Sequence, residues 1–451
     1  MNGNKSCEEN TIIRNASNVI KKMNGYYLII NPEIPNLMVA DDLGKTILEL
    51  MIQQKRKRQD IIKQASAELD CSEKDVEHFI DSLLNAKFVG IPDSPTIMFK
   101  KIEPKLIGLQ LHLTQACNLK CRHCFFSSGN RLEDELTDVE YLEFVKSFKK
   151  LGLRRFTVSG GEPFLRRELL FEMIKEARKQ DLDPVSLSTN GTLLTEDDAH
   201  LLKKYDVKVG VSLDGGTAET HDFIRGKGVF DKTVRALMIL REAGVYTTIG
   251  CTLMKANAEN AEDVLHLAKK VGVEGVLFNT VRIMGRAKDN ISDTHMTDEE
   301  SAACLKRLWK TARKLGVRTG VESFLDISKG IKRIDLCGAG KTILGVAPNG
   351  DVYPCDSFLG INEFIAGNIK EKSIDVIWQD SPVLKPFRSI SVRKMKGCCD
   401  CYLKYICGGA CLRENYEAHG TIDEAPSSCL FMREVFEEML AELGKKMWSG
   451  Q

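Results

Sequence analysis

The sequence predicts an α/β protein built around a parallel sheet with helices outside it, preceded by a small mixed module and followed by a cysteine-rich segment. Alternation is the first reason. Between about residues 105 and 320, short apolar runs take turns with amphipathic stretches, the pattern of successive strand–helix–strand units. Cysteine placement is the second. Of 15 cysteines, three fall within Cys117–Cys124 and seven form a spaced series from Cys337 to Cys429, which sets the last segment apart. A chain of 451 residues is long enough for several such units, each with its own core.

The first module spans roughly residues 15–95. Gly25–Ile30 reads as a strand, Asn31-Pro32 as a turn, and Asn36–Ala40 as the returning strand of a hairpin. Leu43, Ile47, Leu48 and Met51 then recur at helical steps; Ile61, Ile62 and Ala65 begin a second helix, and Val76, Ile80, Leu83 and Leu84 mark a third. Ser72, ahead of Glu-Lys-Asp75, is the N-cap of that third helix. In the central region the predicted strands are Leu109–Thr114, Phe156–Ser159, Val185–Thr189, Val207–Leu213, Thr247–Leu253 and Val276–Val281. Between them the helical stretches are Val139–Leu151, Leu169–Arg178, Asp231–Ala243 and Asn260–Val271. In a parallel barrel chemistry collects where strands end at their C-termini, and the polar motifs of this chain lie there.

Charge narrows the function classes. With 64 Lys+Arg against 63 Asp+Glu, no basic footprint for nucleic acid or an anionic membrane stands out, and Lys55–Arg58 reads as a solvated helix face. Neither an apolar signal region nor a run of about 18 apolar residues occurs, so the expectation is a cytoplasmic chain without a membrane segment. Reduced cytosolic thiols then point to metal or redox sites. Cys7, Cys71, Cys251, Cys304 and Cys399 stand apart and read as ordinary thiols.

Cys117, Cys121 and Cys124 carry the most information. They offer three thiolates on one short loop directly after a strand. Fe–S clusters are usually held by four cysteines, so three can grip a [4Fe–4S] cube and leave one iron open. The alternative is a structural zinc loop completed by His123 or a distant ligand, although zinc sites usually arrive as paired knuckles. The run Thr114-Gln-Ala-Cys-Asn-Leu-Lys-Cys-Arg-His-Cys124 resembles the signature of the radical S-adenosylmethionine (SAM) enzymes. That resemblance implies a partial (β/α)6 TIM barrel, with SAM chelating the open iron through its amine and carboxylate.

Further motifs match the same family. Ser159-Gly-Gly-Glu-Pro163 ends the second strand and resembles the family's GGEP motif; Gly160, Gly161 and Glu162 would then hold the SAM amine. Ser188-Thr-Asn-Gly191 ends the third strand and Val211-Ser-Leu-Asp-Gly215 the fourth, so Ser188, Asn190, Ser212 and Asp214 are candidate SAM contacts, or alternatively helix caps. Arg225 resembles an arginine that pairs with the SAM carboxylate, a role suited to a bidentate guanidinium. His123 replaces the family's usual aromatic residue near adenine, where an imidazole can still stack.

The later cysteines, Cys337, Cys355, Cys398, Cys401, Cys407, Cys411 and Cys429, closely resemble a SPASM domain with two auxiliary [4Fe–4S] clusters. A zinc ribbon would account for the Cys398–Cys411 portion alone. By that resemblance Cys398, Cys401, Cys407 and Cys429 complete an outer cluster, while Cys337, Cys355 and Cys411 hold an inner one with a free iron. Two fully ligated cubes need about eight thiolates and the spacing supplies seven. A substrate thiolate could fill the gap, since metal binding deprotonates a thiol; a water, another side chain or an exogenous ligand is the alternative. Asp356 matches an acidic residue that serves as a base in related sulfatase-maturing enzymes, or it serves the local turn.

The hairpin and three helices resemble the PqqD-like, winged-helix RiPP recognition element, which binds leader peptides; a DNA-binding winged helix is the alternative. The implied domains are this element over 1–100, a radical SAM partial barrel over 101–320 and SPASM over 321–451. Taken together the chain resembles a radical SAM/SPASM peptide maturase of the thioether-forming sactipeptide and ranthipeptide type, in particular the SCIFF-type maturases. The resemblance implies three [4Fe–4S] clusters and SAM as cofactors. It implies an oxidoreductase that abstracts hydrogen with a 5′-deoxyadenosyl radical and joins the carbon to a cysteine sulfur of a leader-bound precursor peptide. A ferredoxin or flavodoxin would supply electrons. Carbon–carbon cross-linking or formylglycine formation shares every SAM motif, and an Fe–S regulator bound to DNA is the non-enzymatic reading.

Overall fold

A computed structural model of the chain describes residues 18–23, 25–32, 36–53, 58–86, 88–89, 103–319, 337–426 and 428–449. Cys7, residues 55–57 and the expected domain boundaries at 100/101 and 320/321 lie outside the described residues.

The N-terminal module is a three-stranded antiparallel sheet with three helices on one face. Strands β1 (Val19–Lys22), β2 (Tyr27–Asn31) and β3 (Asn36–Ala40) run in that spatial order. The predicted hairpin is the β2–β3 pair, joined through Tyr27↔Ala40 to Asn31↔Asn36. β1 is an addition, paired to β2 from Val19↔Ile30 to Lys22↔Tyr27, and it closes the edge that a two-stranded hairpin would leave open on β2. Helices α1 (Asp42–Gln53), α2 (Arg58–Leu69) and α3 (Glu73–Asn85) follow, and Ser72 caps α3 by accepting from Asp75 N at 3.2 Å. Arg58, expected on a solvated face, is instead buried at the start of α2 and pairs with Asp81 of α3 at 2.5 Å.

Alternation along β2 serves two cores, because successive side chains leave a strand on opposite faces. Ile29 packs with Ile47, Leu48, Ile61, Ile62, Val76 and Ile80 of the three helices. Leu28 and Ile30 point the other way and pack against Val435, Phe436, Met439, Leu440 and Leu443 near the far end of the chain. The module therefore sits on the last helix.

The central sheet has nine strands, in the order β12-β11-β10-β4-β5-β6-β7-β8-β9. Six of them, β4 (Gly108–His112), β5 (Arg155–Ser159), β6 (Val185–Thr189), β7 (Val207–Ser212), β8 (Thr247–Leu253) and β9 (Gly275–Thr280), are parallel and adjacent in chain order. Among the described residues β9 is the last full strand on its side, with Thr319 bridged in parallel to Val276 beyond it. Helices α4 (Asp138–Lys146), α5 (Arg167–Lys179), α6 (Glu196–Lys204), α7 (Ala218–Arg225), α8 (Val229–Glu242) and α9 (Glu262–Val271) connect the strands. The expected helix 139–151 ends early, at the Ser147 C-cap whose hydroxyl donates to Phe144 O.

The cysteine-rich segment is not a separate appendage. Its strand β10 (Ile343–Val346) lies parallel to β4, from Ile343↔Gly108 to Val346↔Leu111. β11 (Asp351–Tyr353) and β12 (Gly367–Asn368) continue the sheet antiparallel. Without β10 the backbone of β4 would present a row of unpaired donors and acceptors. After β9 come α10 (Arg286–Asp289), α11 (Ile291–Thr294) and α12 (Asp298–Leu315). The third region adds α13 (Ile374–Asp380), α14 (Leu384–Ser389), α15 (Lys404–Cys407), α16 (Leu412–His419) and α17 (Cys429–Ser449). α12 and α17 run side by side, joined by Lys306–Glu434 at 2.8 Å, Lys310–Glu438 at 2.7 Å and Arg313–Glu442 at 3.0 Å. Among the described residues, no helix is long and apolar enough to cross a membrane.

Candidate active site

A cavity of about 400 Å³ opens at the C-terminal ends of the parallel strands. Cys117, Cys121, His123 and Cys124 line one side, with Ser159, Gly160 and Gly161 after β5, Ser188 and Asn190 at β6, Ser212 at β7 and Arg225 on α7. The lining is completed by Asn279 and Thr280 at the end of β9, Val281, Arg282, Arg286, Asp356, Ser357 and Glu414. Most of the expected SAM contacts and the candidate base Asp356 thus share one wall system.

Gly160 and Gly161, expected at the SAM amine, line the cavity and also pack closely on the cysteine loop. A Cβ on Gly161 would stand 2.0 Å from Ala116 O, and one on Gly160, at φ +140°, 2.8 Å from Thr114 O. The turn holds that loop through Gly161 N to Thr114 O at 2.7 Å and Glu162 N to Ala116 O at 2.8 Å. Glu162, the expected amine contact, is engaged within the protein. Its buried carboxylate accepts from Thr189 Oγ1 at 2.7 Å, Asn190 N at 2.9 Å and Phe164 N at 3.2 Å, behind the cavity wall. Burial raises its pKa against those hydrogen bonds. It ties β5 to β6.

Asp214, a candidate SAM contact, is likewise buried and lies behind the lining. Its Oδ2 receives Arg225 Nε at 2.6 Å, and its Oδ1 receives Thr252 N at 2.9 Å. Burial alone would raise this carboxyl, but the Arg225 guanidinium and His123 beside it hold it at about 2. His123 Nε2 lies 3.5 Å from Asp214 Oδ2, while Nδ1 is buried without a hydrogen-bond partner among the described residues. Burial lowers this imidazole to about 4, so it is neutral. Arg225 also reaches Cys121 Sγ, at 3.9 Å from Nη1. Asn190 lines the cavity, yet its amide is engaged with Asn118 Oδ1 at 3.0 Å and Thr192 N at 2.9 Å.

Two arginines not singled out in the sequence complete the site. Arg286 clasps the cysteine loop by donating from Nε to Cys121 O at 2.8 Å and from Nη1 to Ser128 O at 2.9 Å. Arg282 faces the other way, with Nη2 3.6 Å from Cys411 Sγ. Their position just past the predicted strand Val276–Val281, at an end where parallel sheets concentrate chemistry, is the signal that could have flagged them.

Among the described residues no three His, Cys, Asp or Glu side chains are gathered tightly enough to hold a single metal ion, but the thiols do influence one another in separate neighbourhoods. Cys398 feels Cys407, Cys429 and Cys401 electrostatically, and burial pushes it up to about 12; Cys407, raised to about 11 mainly by burial, feels Cys401 and Cys429. Cys355 feels Cys337 and Cys411 and is raised well above the ordinary thiol range by burial. Burial also pushes Cys117, in the first loop, up to about 11. Buried thiols gathered this way resist becoming anions unaided, and a multivalent metal centre supplies the missing positive charge. Thiols spread over such neighbourhoods suit a multi-iron cluster, whose ligating sulfurs stand apart, better than a single ion.

A parallel sheet with a three-thiol loop at its C-terminal edge, and further thiol sets beyond it, defines an Fe–S enzyme with a cosubstrate cavity. Comparison with known proteins agrees. Residues 111–268 match the Radical SAM superfamily, and residues 337–402 match SPASM, an iron-sulfur cluster-binding domain. Mycofactocin maturase MftC of Mycolicibacterium smegmatis is 31% identical over 332 residues, covering 72% of this chain and 82% of that protein. AdoMet-dependent heme synthase of Methanosarcina barkeri is 30% identical over 348 residues, covering 73% of this chain and 97% of that protein. Among solved structures, Streptococcus suis SuiB bound to S-adenosylmethionine has a TM-score of 0.58 at 19% identity, covering 93% of this chain and 99% of that one. This chain belongs to the radical SAM superfamily, in the branch that carries a SPASM domain. Membership implies [4Fe–4S] clusters and SAM as its cofactors.

Proposed function

We propose that the protein installs thioether cross-links between cysteine sulfur and carbon in a ribosomally made precursor peptide. The observation that carries this reading is that Cys337 and Cys411 are the thiols Cys355 feels, and that Asp356 next to Cys355 and Arg282 against Cys411 both line the cavity. Three thiolates leave one iron position of a cube for a substrate sulfur. With the first-loop and outer sets, this makes three [4Fe–4S] clusters. When bound, SAM and the first-loop cluster supply a 5′-deoxyadenosyl radical that removes a substrate hydrogen atom.

The chain's own residues orient and shield that chemistry. Ser188, Ser212 and Arg225 face the cavity as candidate SAM partners, and the backbone of Gly160 and Gly161 closes over the cysteine loop. Asp356, fixed by donation of its N–H to Gln110 Oε1 at 3.3 Å, stands on the wall nearest the inner thiols as a candidate acceptor for the substrate proton. A leader segment would extend the N-terminal sheet beside β3, since β1 occupies the free side of β2. Peptide binding is supported by relatives: SuiB has also been solved bound to its precursor peptide SuiA. A ferredoxin or flavodoxin is the proposed electron donor, and the cytoplasm the proposed location.

The test is an anaerobic reaction of the reconstituted protein with SAM, reductant and a cysteine-rich precursor peptide that carries its leader. Mass spectrometry after thiol alkylation should show two hydrogens lost and one alkylatable cysteine fewer per cross-link. Two hydrogens lost with every cysteine still alkylatable would point to carbon–carbon bonding. Conversion of a cysteine or serine to an aldehyde would point to formylglycine. Deoxyadenosine with no peptide change would remove the peptide reading and bring forward a small-molecule substrate.

A further inference from the structure

Arg282 lies two residues beyond β9, on the cavity wall shared with Asp356 and Glu414. Its Nη2 approaches Cys411 Sγ at 3.6 Å, within reach of an N–H···S hydrogen bond. The segment that carries it is fixed at both sides. Arg286 N donates to Cys124 O at 3.0 Å, and Met284 Sδ receives Arg413 Nη2 at 2.9 Å from α16. Gly285, at φ +50°, makes this possible, because a Cβ there would stand 2.5 Å from Phe125 O. One short stretch therefore presents a guanidinium to each of two thiol sets. Arg286 addresses the backbone of the first loop and Arg282 the sulfur of the inner set.

The distinction matters chemically. A donor to a backbone carbonyl shapes a loop, whereas a cationic donor to a ligating sulfur changes the electron affinity of what that sulfur holds. Fe–S potentials depend on net charge and on hydrogen bonds to the sulfurs. Reduction adds one electron to a cluster already surrounded by thiolates, and a fixed positive donor stabilises the reduced form more than the oxidised one. We propose that Arg282 is a positioning residue that raises the reduction potential of the cluster held by Cys337, Cys355 and Cys411, through its N–H···S contact with Cys411. This rests on the reading that the inner thiols hold a cluster.

The test uses the full chain, with Cys117, Cys121 and Cys124 replaced by Ala to silence the first site. After anaerobic reconstitution, each auxiliary cluster is titrated with dithionite and followed by electron paramagnetic resonance. Arg282→Met should shift one auxiliary midpoint negative, with about a tenfold fall in the reduced-to-oxidised ratio at fixed potential, equivalent to about 59 mV. Arg282→Lys, which keeps the charge without the planar fork, should shift it by less, and Arg286→Met should leave it in place. An unchanged midpoint in Arg282→Met at full iron content would overturn the proposal. So would an equal shift of both auxiliary clusters. Iron sufficient for one auxiliary cluster, about four atoms rather than about eight, would remove the inner cluster itself and the proposal with it.

Discussion

At the scale of single residues, the cavity wall depends on groups buried behind it. Asp214 and Arg225 form a buried pair, and removing one partner of such a pair costs roughly 3–5 kcal/mol. Asp214→Asn should therefore lower unfolding stability by an amount of that order in urea titrations of the cluster-free protein. Gly161→Ala is expected to be worse for assembly than for stability. Its new methyl meets the rigid carbonyl of Ala116, so iron bound at the first site should fall while the auxiliary sites still load. His112 gives a pH signature. Burial lowers it to about 4 against the influence of Asp356, from 6.5 in the unfolded chain. Between those values the unfolded state binds the extra proton, so stability present above pH 6.5 is lost as pH falls toward 4, by up to roughly 3 kcal/mol. His112→Gln should flatten the dependence of the urea midpoint in that window. The cysteines stood out in the sequence because candidate cluster ligands announce themselves by spacing. The internal hydrogen bonds of Glu162 and Asp214 were not legible, because a motif does not say which way its carboxylate turns. Arg282 and Arg286 were missed because a lone arginine after a strand has no pattern.

At the scale of elements, buried parallel strands read as short apolar runs, and β6 and β8 emerged with their expected bounds. β1 and β10–β12 did not, because two to four residues are too few to show a period of two. Their pairing is decided by distant partners. The two faces of β2 offer a direct check on the packing described. Leu28→Ala or Ile30→Ala should cost about 2–5 kcal/mol and increase hydrogen exchange in α17, whereas Ile29→Ala should increase it in α1–α3. Exchange that rises in the same helices for all three variants would contradict the two-core arrangement.

At the scale of the whole molecule, regions far apart in the chain complete one another. The N-terminal sheet rests on α17, and α17 begins at Cys429, a candidate ligand of the outer cluster. The ion pairs between α12 and α17 lie on partly exposed side chains, so reversing Glu434, Glu438 and Glu442 to Lys together should loosen that seam modestly. The loss should show as a salt-sensitive fall in melting temperature of a few degrees, about 1–2 kcal/mol in total. None of this docking was legible beforehand, because side-chain periodicity reports which face is buried and not which segment buries it.

The parallel pairing of β10 with β4 also has a meaning in time. On the ribosome, β4 and its cysteine loop emerge long before Ile343–Val346, and at ~5–20 residues per second the interval is about 10–50 s. Throughout it the β4 edge of the nascent sheet lacks its partner strand. Closure of that edge by β10 brings Cys337 and Cys355 to the sheet with it, so the order of synthesis sets the order in which these thiols reach the Cys117–Cys124 loop.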